Sequence, residues 1–254
     1  MKTIQKHTHA DRISIAKSMV PGIKKMFGSN LVAIAVRGST AKNTDGPYSD
    51  LELFAFIRKM PEDQKYKPYG KLRKIVDGLL IELIWVTPDT YLSQVKDISP
   101  AWFGSGADYL LPLFESRIIQ TLNAFKPENK EKKCLDQAAA LWDHLQEAAT
   151  KVLNAALAKN KSGMPLVMGD LFSNMLKMVS FLNAKPYTTF AQLVTESRKM
   201  KYRPKDFEKL TKLIVNGEYG KCSEIFKLVY SVMEEFEQVL LEAGYTLDAR
   251  KPLP

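Results

Sequence analysis

Residues 38–53, GSTAKNTDGPYSDLEL, set Gly38 and Ser39 in a polar loop of turn-forming residues and place Asp50 and Glu52 where an apolar run begins. Side chains two apart on a strand share a face, so the two carboxylates would project together into the space above the Gly38-Ser39 turn. Two hard oxygen ligands side by side invite a divalent cation. Magnesium favours an octahedral shell of one or more carboxylates, waters and substrate phosphates, the set that such a mouth offers to a nucleoside triphosphate. Gly38 lets backbone amides approach phosphates closely, and the Ser39 hydroxyl and Lys42 ammonium add donors. Alone, the pattern is weak, because loops rich in Gly, Ser and Asp before a strand are common surface features.

A third acid sharpens it. In LLIELIW, residues 79–85, Glu82 is the only polar side chain of a run that does not alternate, so both faces of that strand read as buried. A charge there costs several kcal/mol unless a cation or hydrogen-bonding partners meet it. A third metal-side carboxylate on a neighbouring strand would answer that need. So would a strand-edge glutamate that reaches solvent or pairs with an arginine such as Arg37.

The elements that must position these groups follow from hydrophobic pattern. A helix is expected over about 11–28 with Pro21 inside it, then strands at LVAIAVRG (31–38), LELFAFI (51–57) and GLLIELIWV (78–86), the last closed by Thr87-Pro88. Near residue 127 the texture changes. FKPENKEKK is a polar hinge, and beyond it LDQAAALWDHLQEAATKVLNAALAK, GDLFSNMLKMVSFLNA, TTFAQLVTESRKM, PKDFEKLTKLIVNG and CSEIFKLVYSVMEEFEQVLLEAG carry apolar residues at helical spacing, with stop or cap signals such as Thr189, Pro204 and Gly217. The expected fold is α+β: a mixed sheet with flanking helices over residues 1–127, then an α-helical bundle over 128–254.

The totals bound the function. With 254 residues and 45% hydrophobic content the chain can bury a sizeable core. A formal charge of +9 suggests an anionic partner, but the lysines are spread in short groups rather than gathered in a tail. The one dense cluster, Lys199, Lys201, Arg203 and Lys205, is short and reads as a solvated inter-helix loop, so no nucleic-acid partner is expected. No apolar stretch approaches the ~20 residues that span a bilayer, and the start MKTIQKHTHADR lacks a secretion signal's apolar core, so a cytoplasmic protein without a membrane partner is expected. Cys134 and Cys222 have no CxxC spacing and His7, His9 and His144 no zinc-site partners, which points to reduced thiols.

A GS turn, DxE about ten residues on, and an isolated acid on a nearby strand together resemble the nucleotidyltransferase superfamily that includes DNA polymerase β. TDGPYSDLE is similar, more narrowly, to the kanamycin nucleotidyltransferase family, the aminoglycoside 4'-O-nucleotidyltransferases, and GDLF, YTTFAQLVTE and LLEAGYTLDARKPLP resemble that family's helical half. The resemblance implies that Asp50, Glu52 and Glu82 hold Mg2+, that Ser39 contacts phosphate, and that Lys42 stands where the relative has arginine, keeping charge but losing a bidentate fork. It also puts Glu147 at the general base and Lys151 at a phosphate contact, although on sequence alone they form an ordinary i, i+4 helical ion pair. A homodimer is implied, with Glu147 and Lys151 facing the other subunit's acids.

The implied reaction is transfer of AMP from Mg-ATP to an aminoglycoside hydroxyl, at the 4' position, with release of pyrophosphate. Two departures bear on substrates. Leu80 stands where the relative has lysine, and no acceptor-recognising acids can be matched between residues 60 and 110. A basic protein repels polycationic aminoglycosides at long range unless acids such as Asp77, Asp97, Asp108 and Glu115 concentrate at the cleft. A lincosamide or another small hydroxylated acceptor is one alternative, and a non-catalytic nucleotide-binding or antitoxin-like module is another.

Overall fold

Residues 4–104 and 109–247 are described by the computed structural model. Contacts divide the chain into two compact units, Met1–Asp97 with Ala107–Glu128, and Ile98–Gly106 with Asn129–Pro254. The division differs in one place from a simple cut at 127. Ile98 and Trp102 are buried in the helical core of the second unit, where Trp102 stacks on Phe181 with ring centroids 6.3 Å apart and the Tyr187 amide donates to the Phe103 carbonyl at 2.8 Å. Burying one indole outweighs the chain order of nine residues.

The first unit opens with helix α1 (His9–Phe27), started by a capping box in which the Asp11 amide donates to the Thr8 hydroxyl and the Thr8 amide to the Asp11 carboxylate. Strands β1 (Leu31–Arg37) and β2 (Leu51–Ile57) follow, separated by one helical turn, α2 (Gly38–Ala41), and a loop. Then come β3 (Gly70–Val76), β4 (Leu79–Val86), helix α3 (Pro88–Lys96), β5 (Leu111–Phe114) and helix α4 (Ser116–Ala124). The sheet order is β3-β4-β2-β1-β5, with β2 and β4 parallel and every other pair antiparallel. The expected mixed sheet with flanking helices is what forms.

Its three inner strands bury both faces. On one, Ile34, Val36, Leu53, Ala55, Ile81 and Leu83 pack with Ala16 and Ile23 of α1. On the other, Ala33, Ala35, Phe54, Phe56, Ile84 and Val86 pack with Tyr91 of α3 and Ile119 and Leu122 of α4. These strands lack an apolar-polar alternation because both faces are buried along most of their length. The edge strand β3 is the opposite case, exposed over Lys71–Ile75, which leaves GKLRKIV with little hydrophobic signal.

The second unit is helical: α5 (Lys130–Leu157), α6 (Met164–Leu182), α7 (Leu193–Ser197), α8 (Phe207–Val215) and α9 (Cys222–Glu242). Cys134, Ala138, Trp142, Leu145, Ala149, Val152 and Ala156 recur along α5 at three- and four-residue spacing and meet Met164, Met168, Leu171 and Met175 of α6 and Val229, Val232 and Phe236 of α9. TTFAQLVTESRKM departs from the expected helix. It folds as a 3-10 turn at Phe190–Gln192 and the five-residue α7, with the Glu196 carboxylate reaching back to accept from the Thr188 amide at 2.8 Å. Both cysteines are free thiols, and burial pushes Cys134 up to about 11. Among the described residues no helix is long and apolar enough to cross a membrane.

Candidate active site

Parallel pairing of β2 with β4 places Glu52 directly beside Glu82. Both belong to the face that carries Phe54, Ile84 and Val86, since side chains alternate along each strand. Asp50 is two residues before Glu52, on the loop that enters β2. A cleft of about 280 Å³ on this face is lined by Arg37, Glu52, Tyr69, Lys71, Glu82 and Gln94, among others.

Like charges side by side need compensation, and three cations from two flanking strands supply it. Arg37 of β1 pairs across from Glu52, with Nε 3.8 Å from Oε1. Arg73 of β3 pairs across from Glu82 and donates from Nε to Oε2 at 2.6 Å, while Lys71 Nζ lies 2.6 Å from Oε1. Burial by itself would raise the Glu82 pKa, but the hydrogen bonds from Lys71 and Arg73, with their charges, outweigh it and hold the carboxyl below the ordinary glutamate value. Arg73 is held protonated chiefly by its bond to Glu82, with further attraction from Asp50 and Glu52. Glu82 is thus buried, as its sequence context requires, and its partners come from β3 rather than from Arg37.

The Gly38 turn is built around Glu52. Gly38 has φ +68°, a left-handed conformation, and a Cβ at that position would lie 2.0 Å from Glu52 Oε2. Only glycine lets the carboxylate rest against the backbone here. Ser39 and Lys42 follow on α2 and at its C-terminal cap, where the Ser39 carbonyl accepts from the Thr44 amide at 3.0 Å.

Asp50 is delivered by the TDGPYS loop, which α1 fastens from beneath. Arg12, fully buried, donates from Nε to the Ser49 carbonyl at 2.9 Å, from Nη2 to the Gly46 carbonyl at 2.9 Å, and from Nη1 to Asp45 Oδ2 at 3.0 Å and the His7 carbonyl at 3.0 Å. The His9 ring nitrogen Nδ1 lies 2.8 Å from the other Asp45 oxygen. One guanidinium therefore sets the path of the chain up to Asp50.

Among the described residues no three His, Cys, Asp or Glu side chains are grouped so as to hold a metal ion. Asp50 does not line the cleft that holds Glu52 and Glu82, and both oxygens of Glu82 are engaged by β3 cations. In donor chemistry the three carboxylates suit a hard divalent cation; in arrangement they suit it only when Lys71 and Arg73 give way. Neither cation was singled out from the sequence, although their two-residue spacing matches that of Asp50 and Glu52 and is the signal that marks them. Arg12 and Asp45 gave no comparable signal. Asp77, Asp97 and Glu115 do not line this cleft, and Asp108 lies outside the described residues, as does the DARKPLP tail.

Glu147 and Lys151 belong to the second unit, where their carboxylate and ammonium lie 2.9 Å apart on exposed turns of α5. They line a cleft of about 510 Å³ with His144 of the same helix and Asp170, Asn174 and Lys177 of α6. The Asn174 amide donates to Asp170 and its carbonyl oxygen accepts from Lys177, both at 3.3 Å. The hydrogen bond and charge of Lys151 hold the Glu147 carboxyl below the ordinary glutamate value, and Glu147 in turn holds Lys151 protonated.

The KNTase C-terminal domain family matches residues 120–246, half of the chain. The chain belongs to the KNTase C-terminal domain family of nucleotidyltransferases. Two curated relatives, each called aminoglycoside nucleotidyltransferase (4'), are similar over 97% of this chain and 97% of their own: one from Staphylococcus aureus at 21% identity and one from a Bacillus species at 22%. A solved nucleotidyltransferase-like protein from Exiguobacterium sibiricum aligns with 89% of this chain and 74% of its own at 12% identity and a TM-score of 0.48. The family match contains Glu147 and Lys151, and with the two relatives, which align over 97% of the chain, it bears out the family resemblance.

Within this family member, Gly38 is the position where a methyl group tests the site most sharply. In Gly38→Ala the left-handed backbone costs about 1–2 kcal/mol of stability. The displaced Glu52 carboxylate lowers nucleotidyl transfer, assayed well below the melting temperature, by about 10²-fold. Transfer at the wild-type rate in this variant would remove the Gly38-Glu52 contact from the site.

Proposed function

We propose that the protein transfers AMP from Mg-ATP to a hydroxyl of an aminoglycoside, the 4' hydroxyl by its likeness to the two curated relatives, and releases pyrophosphate. The observation that carries the reading is the in-register pair of Glu52 and Glu82, with Asp50 two residues before Glu52 and Gly38 closed against it, in a chain of this family. Asp50, Glu52 and Glu82 would hold Mg2+, which when bound neutralises charge on the phosphates. The Gly38 amide, the Ser39 hydroxyl and the Lys42 and Lys151 ammonium groups hold the phosphate oxygens.

The acceptor hydroxyl attacks the α-phosphorus as the bond to pyrophosphate breaks, and Glu147 takes the hydroxyl proton. Lys151, 2.9 Å from Glu147, keeps the base ionised and steadies charge on the phosphates. We assign this chemistry to a homodimer in which Glu147 and Lys151 of one subunit face the acids of its partner, a reading that rests on the family resemblance. In the 510 Å³ cleft, Asp170 gives a cationic acceptor a carboxylate in addition to Glu147.

Purified protein given ATP, magnesium and kanamycin should release pyrophosphate and yield an antibiotic heavier by one AMP in the mass spectrum; no turnover across an aminoglycoside panel would remove the acceptor assignment. Glu147→Gln should still bind ATP while transfer falls by about 10²–10⁴-fold. Mixing inactive Glu147→Gln chains with inactive Asp50→Asn chains restores activity in a shared site and fails to do so if each chain works alone.

The pH profile tests the base. Glu147 must be ionised to accept a proton, so activity is present above its pKa and lost as pH falls through it. Lys151 depresses that pKa, so the acidic limb lies below the ordinary glutamate value in the wild type and moves upward in Lys151→Met. A limb that stays in place as the maximal rate falls would assign the proton to another group.

A further inference from the structure

Glu82 is buried, yet the two side chains that satisfy it are not: that of Arg73 is 62% exposed and that of Lys71 33% exposed, both on a strand with a sheet neighbour on one side only. Such partners can leave without opening the core. Around them the face carries Glu52 and Glu82, with Asp50 close enough to attract Arg73, against Arg37, Lys71 and Arg73, so the acids are matched by bases before any ligand arrives. Basic residues on an edge strand also deter pairing with other chains. Lys74, exposed on the same strand, suffices for that, and edge protection does not explain two cations closing on both oxygens of one carboxylate at 2.6 Å.

We propose that Lys71 and Arg73 are the counter-charge of the three-carboxylate face: they keep it neutral without nucleotide, oppose a bare divalent cation, and turn to the phosphates when the cation arrives complexed to a triphosphate. The inference rests on the metal and nucleotide roles given to these acids above. A bare dication must displace two cations from Glu82 and leaves the face with surplus positive charge in a partly buried setting, where such charge is poorly screened. A metal-triphosphate complex, net negative, brings no positive surplus and offers the displaced ammonium and guanidinium new acceptors. Metal and nucleotide therefore bind as one unit. Arg73 is suited to the exchange because its guanidinium can pass from carboxylate to phosphate with two donors still aligned.

The test uses Mn2+ as the probe, titrated by electron paramagnetic resonance into the full-length protein, alone and with a non-hydrolysable ATP analogue. Wild type should bind Mn2+ weakly alone and much more tightly with the analogue. Arg73→Gln and Lys71→Met should each bind bare Mn2+ about tenfold tighter than wild type, and the analogue should raise their Mn2+ affinity by a smaller factor. Arg73→Lys, which keeps the charge, should remain within about threefold of wild type for bare Mn2+. If wild type binds Mn2+ with the analogue but neither neutral variant binds bare Mn2+ more tightly, the counter-charge role is overturned and the metal site stands. If wild type binds no Mn2+ even with the analogue, the metal site itself is overturned.

Discussion

Two carboxylates forced side by side by strand register govern the first unit. Parallel pairing of β2 with β4 sets Glu52 against Glu82, and like charges at that separation repel unless cations meet them. The neighbouring structure is arranged as that compensation. β1 contributes Arg37 opposite Glu52, β3 contributes Lys71 and Arg73 to Glu82, and Gly38 leaves room for a carboxylate where any side chain would collide. Apolar residues at 52 and 82 would pack more cheaply at the end of a sheet whose inner strands are otherwise hydrophobic.

The same economy of means holds the loop before β2. Arg12 looks in sequence like an ordinary charged position of an amphipathic helix, but its guanidinium takes three carbonyls and a carboxylate, which ties the start of α1 to the loop leading to Asp50. In the helical unit, by contrast, Glu147 and Lys151 rest on the regular spacing of α5, whose opposite side is pinned by Trp142, Leu145, Ala149 and Val152 in the core. A long helix packed along one stripe presents its other side rigidly. That is why an exposed ion pair there has a defined direction.

Legibility in the sequence followed burial. LVAIAVR, LELFAFI and LLIELIWV were readable as strands because both sides of them are buried along most of their length, and Glu82 stood out for the same reason. β3 was not readable: an edge strand exposed along most of its length has no apolar stripe, and its Lys71 and Arg73 look like solvated charges until β4 is laid beside them. The four-residue β5, with Pro112 inside it, is too short to give a periodic signal. Ile98–Gly106 went to the other unit because partner choice for a single buried tryptophan is tertiary information. Glu147 and Lys151 were found through resemblance; their spacing alone is that of many surface pairs.

The shared use of Glu52 and Glu82 is tested most directly by Mn2+-nucleotide affinity in Glu52→Gln, Glu82→Gln and the double variant. Two acids gripping one ion give non-additive losses, each single change costing nearly as much as both together. Losses that simply multiply would mean that the two carboxylates act independently, and the in-register pair would then be a structural ion cluster rather than one metal site.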